Sequence, residues 1–75
     1  LLVYPNPAME DIRIDLQKKY EDINIVIRNV LGQIILKKSY SASNVLQLNI
    51  PGKSGVYYIE VRSGDSKAVL KVMKE

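Results

Sequence analysis

Histidine, cysteine, phenylalanine and tryptophan are all absent from this chain of 75 residues. Without histidine it lacks the usual acid/base group at neutral pH and the commonest metal ligand. Without cysteine no disulfide can staple the fold, and no thiolate can bind a metal or attack a substrate. Without Phe or Trp the core has to be built from Ile, Val and Leu, with five tyrosines as the only aromatic bulk. Long apolar runs are missing too. Uncharged stretches such as Leu1–Ala8 and Asn29–Leu36 fall far short of the roughly 18 apolar residues of a membrane helix. No cationic segment precedes an apolar run, since the first basic residue is Arg13, so no signal peptide is visible.

The charge balance is mild, with 11 basic and 8 acidic residues giving +3. The lysine pairs Lys18-Lys19 and Lys37-Lys38 do not make a patch if they lie on strands, because neighbours there point to opposite faces. A solvated surface is expected, not a nucleic-acid or membrane site. A chain this short buries only about 60% of the surface its unfolded form exposes. Its hydrophobic fraction of 47% and charged fraction of 25% nevertheless describe a folded domain. The chain begins at Leu1, not Met, which reads as one domain, residues 1–75, of a longer precursor with a passenger ahead of it.

The dominant period is two. Ile12, Ile14 and Leu16 alternate with Asp11, Arg13 and Asp15, the pattern of a half-buried strand with a charged outer face. Ile23, Ile25 and Ile27 repeat it. The segment Asn29-Val30-Leu31-Gly32-Gln33 then supplies a turn at Gly32. Ile34–Tyr40 reads as a third strand whose inward face is ambiguous, because Ile34, Ile35 and Leu36 are all apolar. Ser41–Asn44 reads as a polar loop. Leu46, Leu48 and Ile50 form a further strand, stopped by Pro51-Gly52. Tyr57, Ile59 and Val61 alternate after Gly55, and Gly64-Asp65 signals a tight hairpin of type II′. The last strand, Lys67–Met73, places Ala68, Leu70 and Val72 on one face and Lys67, Val69, Lys71 and Met73 on the other. With a short edge strand at Leu1–Tyr4, about seven short strands are expected. No helical period survives, and Lys18–Asp22 is too short and polar for a helix of its own. The expected fold is all-β, an immunoglobulin-like antiparallel sandwich.

No constellation for catalysis emerges. Asp11 and Asp15 flank Arg13 on one strand face, which is a surface charge ladder more than an acid/base pair. The serines have no histidine to activate them and no G-x-S-x-G around them for a Ser–Lys arrangement. The four glycines stand at turns and in no phosphate-binding pattern. Carboxylates alone, without EF-hand spacing, make no metal site. The residues by themselves describe a non-catalytic sandwich without cofactor or metal.

Several segments taken together carry the reading further: Val3-Tyr4-Pro5-Asn6-Pro7-Ala8, the strand Ile12–Leu16, Leu31-Gly32-Gln33, Gly55-Val56-Tyr57-Tyr58, and the ending Lys71-Val72-Met73-Lys74-Glu75. Their order and spacing, over essentially the whole chain, resemble the C-terminal sorting domain family of type IX secretion. Each segment alone is unspecific; the set is not. Glu75 after the last lysine, and Met73 in place of a β-branched residue, depart slightly from the pattern. The resemblance implies a sorting signal at the C-terminus of an exported protein of a Gram-negative bacterium. Its passenger crosses the periplasm and then an outer-membrane translocon, meeting shuttle components on the way. It ends at the cell surface or secreted. In many members a sortase-like cysteine protease removes the domain and joins the passenger to an anionic lipopolysaccharide.

Carried over by position, Pro5, Asn6 and Pro7 match the family's N-terminal motif, Gly55 and Tyr57 its glycine–tyrosine motif, and Lys71 and Lys74 its basic end. Each also has a structural reading. Pro5-Asn6-Pro7 is a rigid turn, Gly55 a bend, Tyr57 a core aromatic with a bonded hydroxyl, and the lysines guard an edge strand against aggregation. Lys71 and Lys74 point to opposite faces, so only one of them need be solvated. The functional expectation is that Lys67–Lys74 is read as a folded edge by strand pairing. Open edges also allow a homodimer. The rival reading is an adhesion or carbohydrate-binding module using Tyr40 and Tyr58 as an aromatic platform. An enzyme is the weakest reading.

Overall fold

Alternating isoleucines leave one face of each strand that must be removed from water, and with no helix among the described residues a second strand layer covers it. The computed structural model describes residues 1–4 and 11–75, and they form five antiparallel strands with no helix among them. These are β1 (Leu2–Tyr4), β2 (Asp11–Asn29), β3 (Ile34–Asn49), β4 (Gly55–Ser63) and β5 (Ser66–Lys74). β2 is central. Its first half pairs with β1 and with the second half of β3. Its second half lies between the first half of β3 and β4, and β4 carries β5 as the outermost strand.

Five strands replace the seven expected because two pairs of expected strands are continuous. Ile12–Leu16 and Ile23–Arg28 are the halves of β2, joined through a bend at which the register with β3 shifts between Asp15 and Tyr20. Gln17 and Asp22 carry positive φ there, 68° and 50°. The Gln17 amide donates to Asp15 Oδ1 at 2.8 Å, holding the bend locally. Ser41–Asn44, expected as a loop, is strand: Ser43 pairs with Tyr20 and Ala42 with Glu21. The Ser43 hydroxyl donates to the Val45 carbonyl at 2.6 Å and accepts from the Val45 amide at 3.2 Å. The bend turns one sheet back on itself and makes two layers.

Between the layers lie Ile12, Ile14 and Leu16 from the first half of β2, and Ile23, Ile25 and Ile27 from its second half. Leu46 and Leu48 join them from β3, Tyr57, Ile59 and Val61 from β4, and Val72 from β5. Each such aliphatic side chain contributes about 1.5–3 kcal/mol relative to exposure. The ambiguity over Ile34–Leu36 is resolved by a register shift. Arg28 pairs with Ile34 and Ile27 with Leu36, so Ile35 is an extra residue, and both Ile35 and Leu36 pack against the core.

The two hairpins follow their sequences. In the β2–β3 turn the Asn29 side chain accepts from the Leu31 and Gln33 amides, both at 3.0 Å, and holds the Val30-Leu31 tip out in solvent. In the β4–β5 turn Gly64 has φ +57° at the first central position while Asp65 does not turn positive, the sign pattern of type II′.

Candidate recognition surface at the C-terminal strand

β5 hydrogen-bonds to β4 along its whole length, from Ser66 opposite Ser63 to Lys74 opposite Gly55, and to no other described strand. Among the described residues it is an open sheet edge with unpaired backbone groups. Its two faces differ. Ala68, Leu70, Val72 and Lys74 turn inward, the last two buried, while Lys67, Val69, Lys71 and Met73 stand exposed. Val69 and Met73 are 56% and 55% exposed, high for apolar residues flanking cations.

Lys74 is the buried charged residue of the described chain, 8% exposed. Its ammonium donates to the Ile50 carbonyl at 2.6 Å and to the Gly52 carbonyl at 2.8 Å. Those carbonyls belong to the segment 50–54 between β3 and β4, which has no ladder of its own. The same segment is held from the other side by buried Tyr57, whose hydroxyl donates to the Lys53 carbonyl at 2.6 Å. Gly52 completes the arrangement. It has φ +99°, and a Cβ built there would lie 2.8 Å from the Tyr57 hydroxyl oxygen, so a side chain is excluded by both backbone and space. Charge-assisted and hydroxyl bonds to otherwise unpaired carbonyls substitute for the missing sheet contacts.

The structure therefore brings together Gly55, Tyr57 and Lys74 and leaves Lys71 apart. Gly55 pairs with Lys74 and Tyr57 with Val72, so the three residues surround the 50–54 segment. Lys71 pairs with Tyr58 on the outward face. Pro5, Asn6 and Pro7 lie outside the described residues.

Sequence reasoning missed an ionic cluster on that outward face. Glu60 lies 3.3 Å from the Lys67 ammonium and 3.9 Å from both the Arg28 and Arg62 guanidinium groups. The hydrogen bond from Lys67 holds the Glu60 carboxyl below its ordinary range. Partial burial opposes this, and the charges of Lys67, Arg62 and Arg28 reinforce it. Glu60 and Arg62 are visible as an i, i+2 pair, but Arg28 and Lys67 join them only through the cross-strand register.

The other candidates have structural occupations. Asp11 accepts from the Asn49 amide at 3.2 Å and Asp15 caps the bend. With its amide oriented to present oxygen, Gln47 accepts from Arg13 at 3.1 and 3.2 Å. Tyr40 packs against the core, its hydroxyl donates to the Gln47 carbonyl at 2.8 Å, and Lys38 covers its ring. Tyr58 stands on the opposite, outward face. The two tyrosines do not form one platform.

Fold and edge together define a small all-β sandwich whose final strand is displayed as a surface. The comparisons place it more closely: the secretion system C-terminal sorting domain family matches residues 2–75. The chain belongs to that family and is a C-terminal sorting domain of type IX secretion. No curated protein and no solved structure matches it.

Proposed function

We propose that this domain directs an N-terminal passenger through the outer-membrane translocon of type IX secretion as a folded, non-catalytic signal read at β5. The observation that carries the reading is the edge of β5, paired among the described residues on one side only and presenting Lys67, Val69, Lys71 and Met73 outward. A partner strand added there would gain backbone hydrogen bonds, and the alternating side chains would give specificity. Lys71 belongs to the read surface. Gly55, Tyr57 and Lys74 act through the fold, by keeping the segment beside β5 in place. Pro5-Asn6-Pro7 contributes the N-terminal part of the signal. After export, a sortase-like cysteine protease cleaves ahead of the domain and attaches the passenger to surface glycolipid. A carbohydrate-binding module is disfavoured by the packing of Tyr40 and the isolation of Tyr58 from it.

The test is a reporter carrying an export signal at its N-terminus and this domain at its C-terminus, expressed in a bacterium with type IX secretion. The expected result is reporter in the medium or on the cell surface, lost when the outward positions of β5 are changed to bulky or proline residues that leave the domain folded. Export that persists with the β5 edge blocked and the domain folded would refute the edge as the element read.

A further inference from the structure

We infer that the outward face of the β3–β2–β4–β5 layer is a docking surface for an acidic protein surface; this rests on the sorting-signal reading and names the chemistry of the partner. The register places Lys37 beside Val26, Arg28 beside Tyr58, and Arg62 beside Lys67, with Lys71 beyond Tyr58. Five cations thus share the paired positions of this face with one carboxylate, Glu60, while Asp22 stands at its margin beside Asn24 and Ser39. These paired positions carry +4 (five minus one) while the whole chain carries +3, so the rest of the molecule carries only −1 (three minus four). The single carboxylate is already shared by Arg28, Arg62 and Lys67, and Lys37 and Lys71 have no acidic partner among the described residues. An assembly of like charges repels itself unless something answers it, and the answer with matching sign is a cluster of carboxylates.

Three features favour a protein over other polyanions. Val69 and Met73 lie exposed among the cations, and the adjoining turn holds Leu31 out at 78% exposure. These apolar groups suit a partly apolar counterface, and Tyr58 is the lone aromatic ring among the residues paired on this face, where binding of single-stranded bases uses a series of rings. The β5 edge borders the same face, and only a polypeptide can pair with it. The two longer dimensions of the molecule, 30 and 23 Å, give a face of about 700 Å² in projection, comparable with the ~800 Å² that each partner buries in an ordinary specific interface.

The test titrates poly-L-glutamate into the isotopically labelled chain and follows backbone amide shifts. The shifts should concentrate on Arg28, Tyr58, Arg62 and Lys67–Met73. Lys37→Glu/Lys71→Glu should weaken binding about tenfold, and Glu60→Gln should tighten it about threefold. Lys19→Glu/Lys53→Glu, with the same net charge change at exposed sites off the face, should stay within about twofold. Shifts spread over the whole surface, equal losses in the two double variants, or binding to phosphatidylglycerol vesicles without binding to poly-L-glutamate would each overturn the proposal. In the reporter fusion, Lys37→Glu/Lys71→Glu should abolish export while the off-face variant is exported normally. Undiminished export of a folded face variant would overturn it there too. If the unaltered fusion is not exported, the sorting reading fails by itself, and the poly-L-glutamate arm still decides whether the face takes carboxylates.

Discussion

Lys71 and Lys74 stand three residues apart on one strand and live in different solvents. Lys74 is turned inward and has given up water for two backbone carbonyls; Lys71 is turned outward and exposed. Strand alternation alone separates them. The difference shows that the two lysines of one basic ending are placed differently, the inward one holding the 50–54 segment and the outward one standing in solvent. It also means that deletions at this terminus remove both lysines together, and point substitutions are needed to tell them apart.

Removing residues 71–75 should have the largest effect. It takes away buried Val72, worth about 1.5–3 kcal/mol, and the Lys74 bonds, whose loss leaves the buried Ile50 carbonyl without its partner at about 1–3 kcal/mol. A domain of this length has about 4–11 kcal/mol in total. The truncated chain should be largely unfolded by circular dichroism at 37 °C, and lost export of such a fusion would then report folding, not recognition. A truncated chain with native spectrum and melting temperature would show that the terminus is dispensable to the fold, and the contrast between the lysines would disappear.

Lys74→Met against Lys71→Met sharpens the comparison, since each keeps most of the stem and removes the ammonium. Lys74→Met should lower stability by about 1–3 kcal/mol in urea unfolding, and Lys71→Met by no more than about 0.5 kcal/mol. Export should rank oppositely once temperature is low enough to keep both folded. Equal stability losses would mean that the buried ammonium contributes nothing beyond its exposed neighbour.

Tyr57→Phe tests the other hold on the same segment. Losing the bond to Lys53 should cost about 1 kcal/mol. The double variant with Lys74→Met should depart from additivity, because both groups restrain residues 50–54. Strict additivity in that cycle would indicate that the two contacts act on independent pieces of chain.

These contrasts set how much was legible beforehand. The inward-facing Ile12, Ile14, Ile23, Ile25 and Ile27, the Gly64-Asp65 hairpin and the outward Lys71 all follow from period and turn chemistry, which are local. The continuity of β2 and β3 does not. Its bend rests on Gln17 and Asp22 at positive φ, where sequence reading looks for glycine, and on Ser41–Asn44 being strand despite a composition that favours loops. The extra residue at Ile35 was visible only as an ambiguity. The destination of Lys74 was beyond reach, because its partners Ile50 and Gly52 are 24 and 22 residues away and are backbone atoms with no side-chain signature. The Glu60 cluster was hidden for the same reason: register, not composition, assembles it.

Glu60 supplies the smallest expected effect and the finest test of the outward face. Its carboxyl is held below the ordinary value of 4.5, first by the Lys67 hydrogen bond and then by the surrounding cations. A folded-state pKa below the unfolded one stabilises fully above the unfolded value, and the contribution is lost as pH falls through the folded one. Wild type and Glu60→Gln should therefore differ most near neutral pH and converge in acid, well below 4.5, since the remaining carboxylates titrate alike in both. The pairs are partly solvated, so the difference should be small and should shrink further as salt is raised. Urea midpoints measured from about pH 7 to about pH 3 decide it. A gap between the two proteins that stays constant across that range would mean that Glu60 contributes through packing, and that the cations around it repel one another less than their number implies.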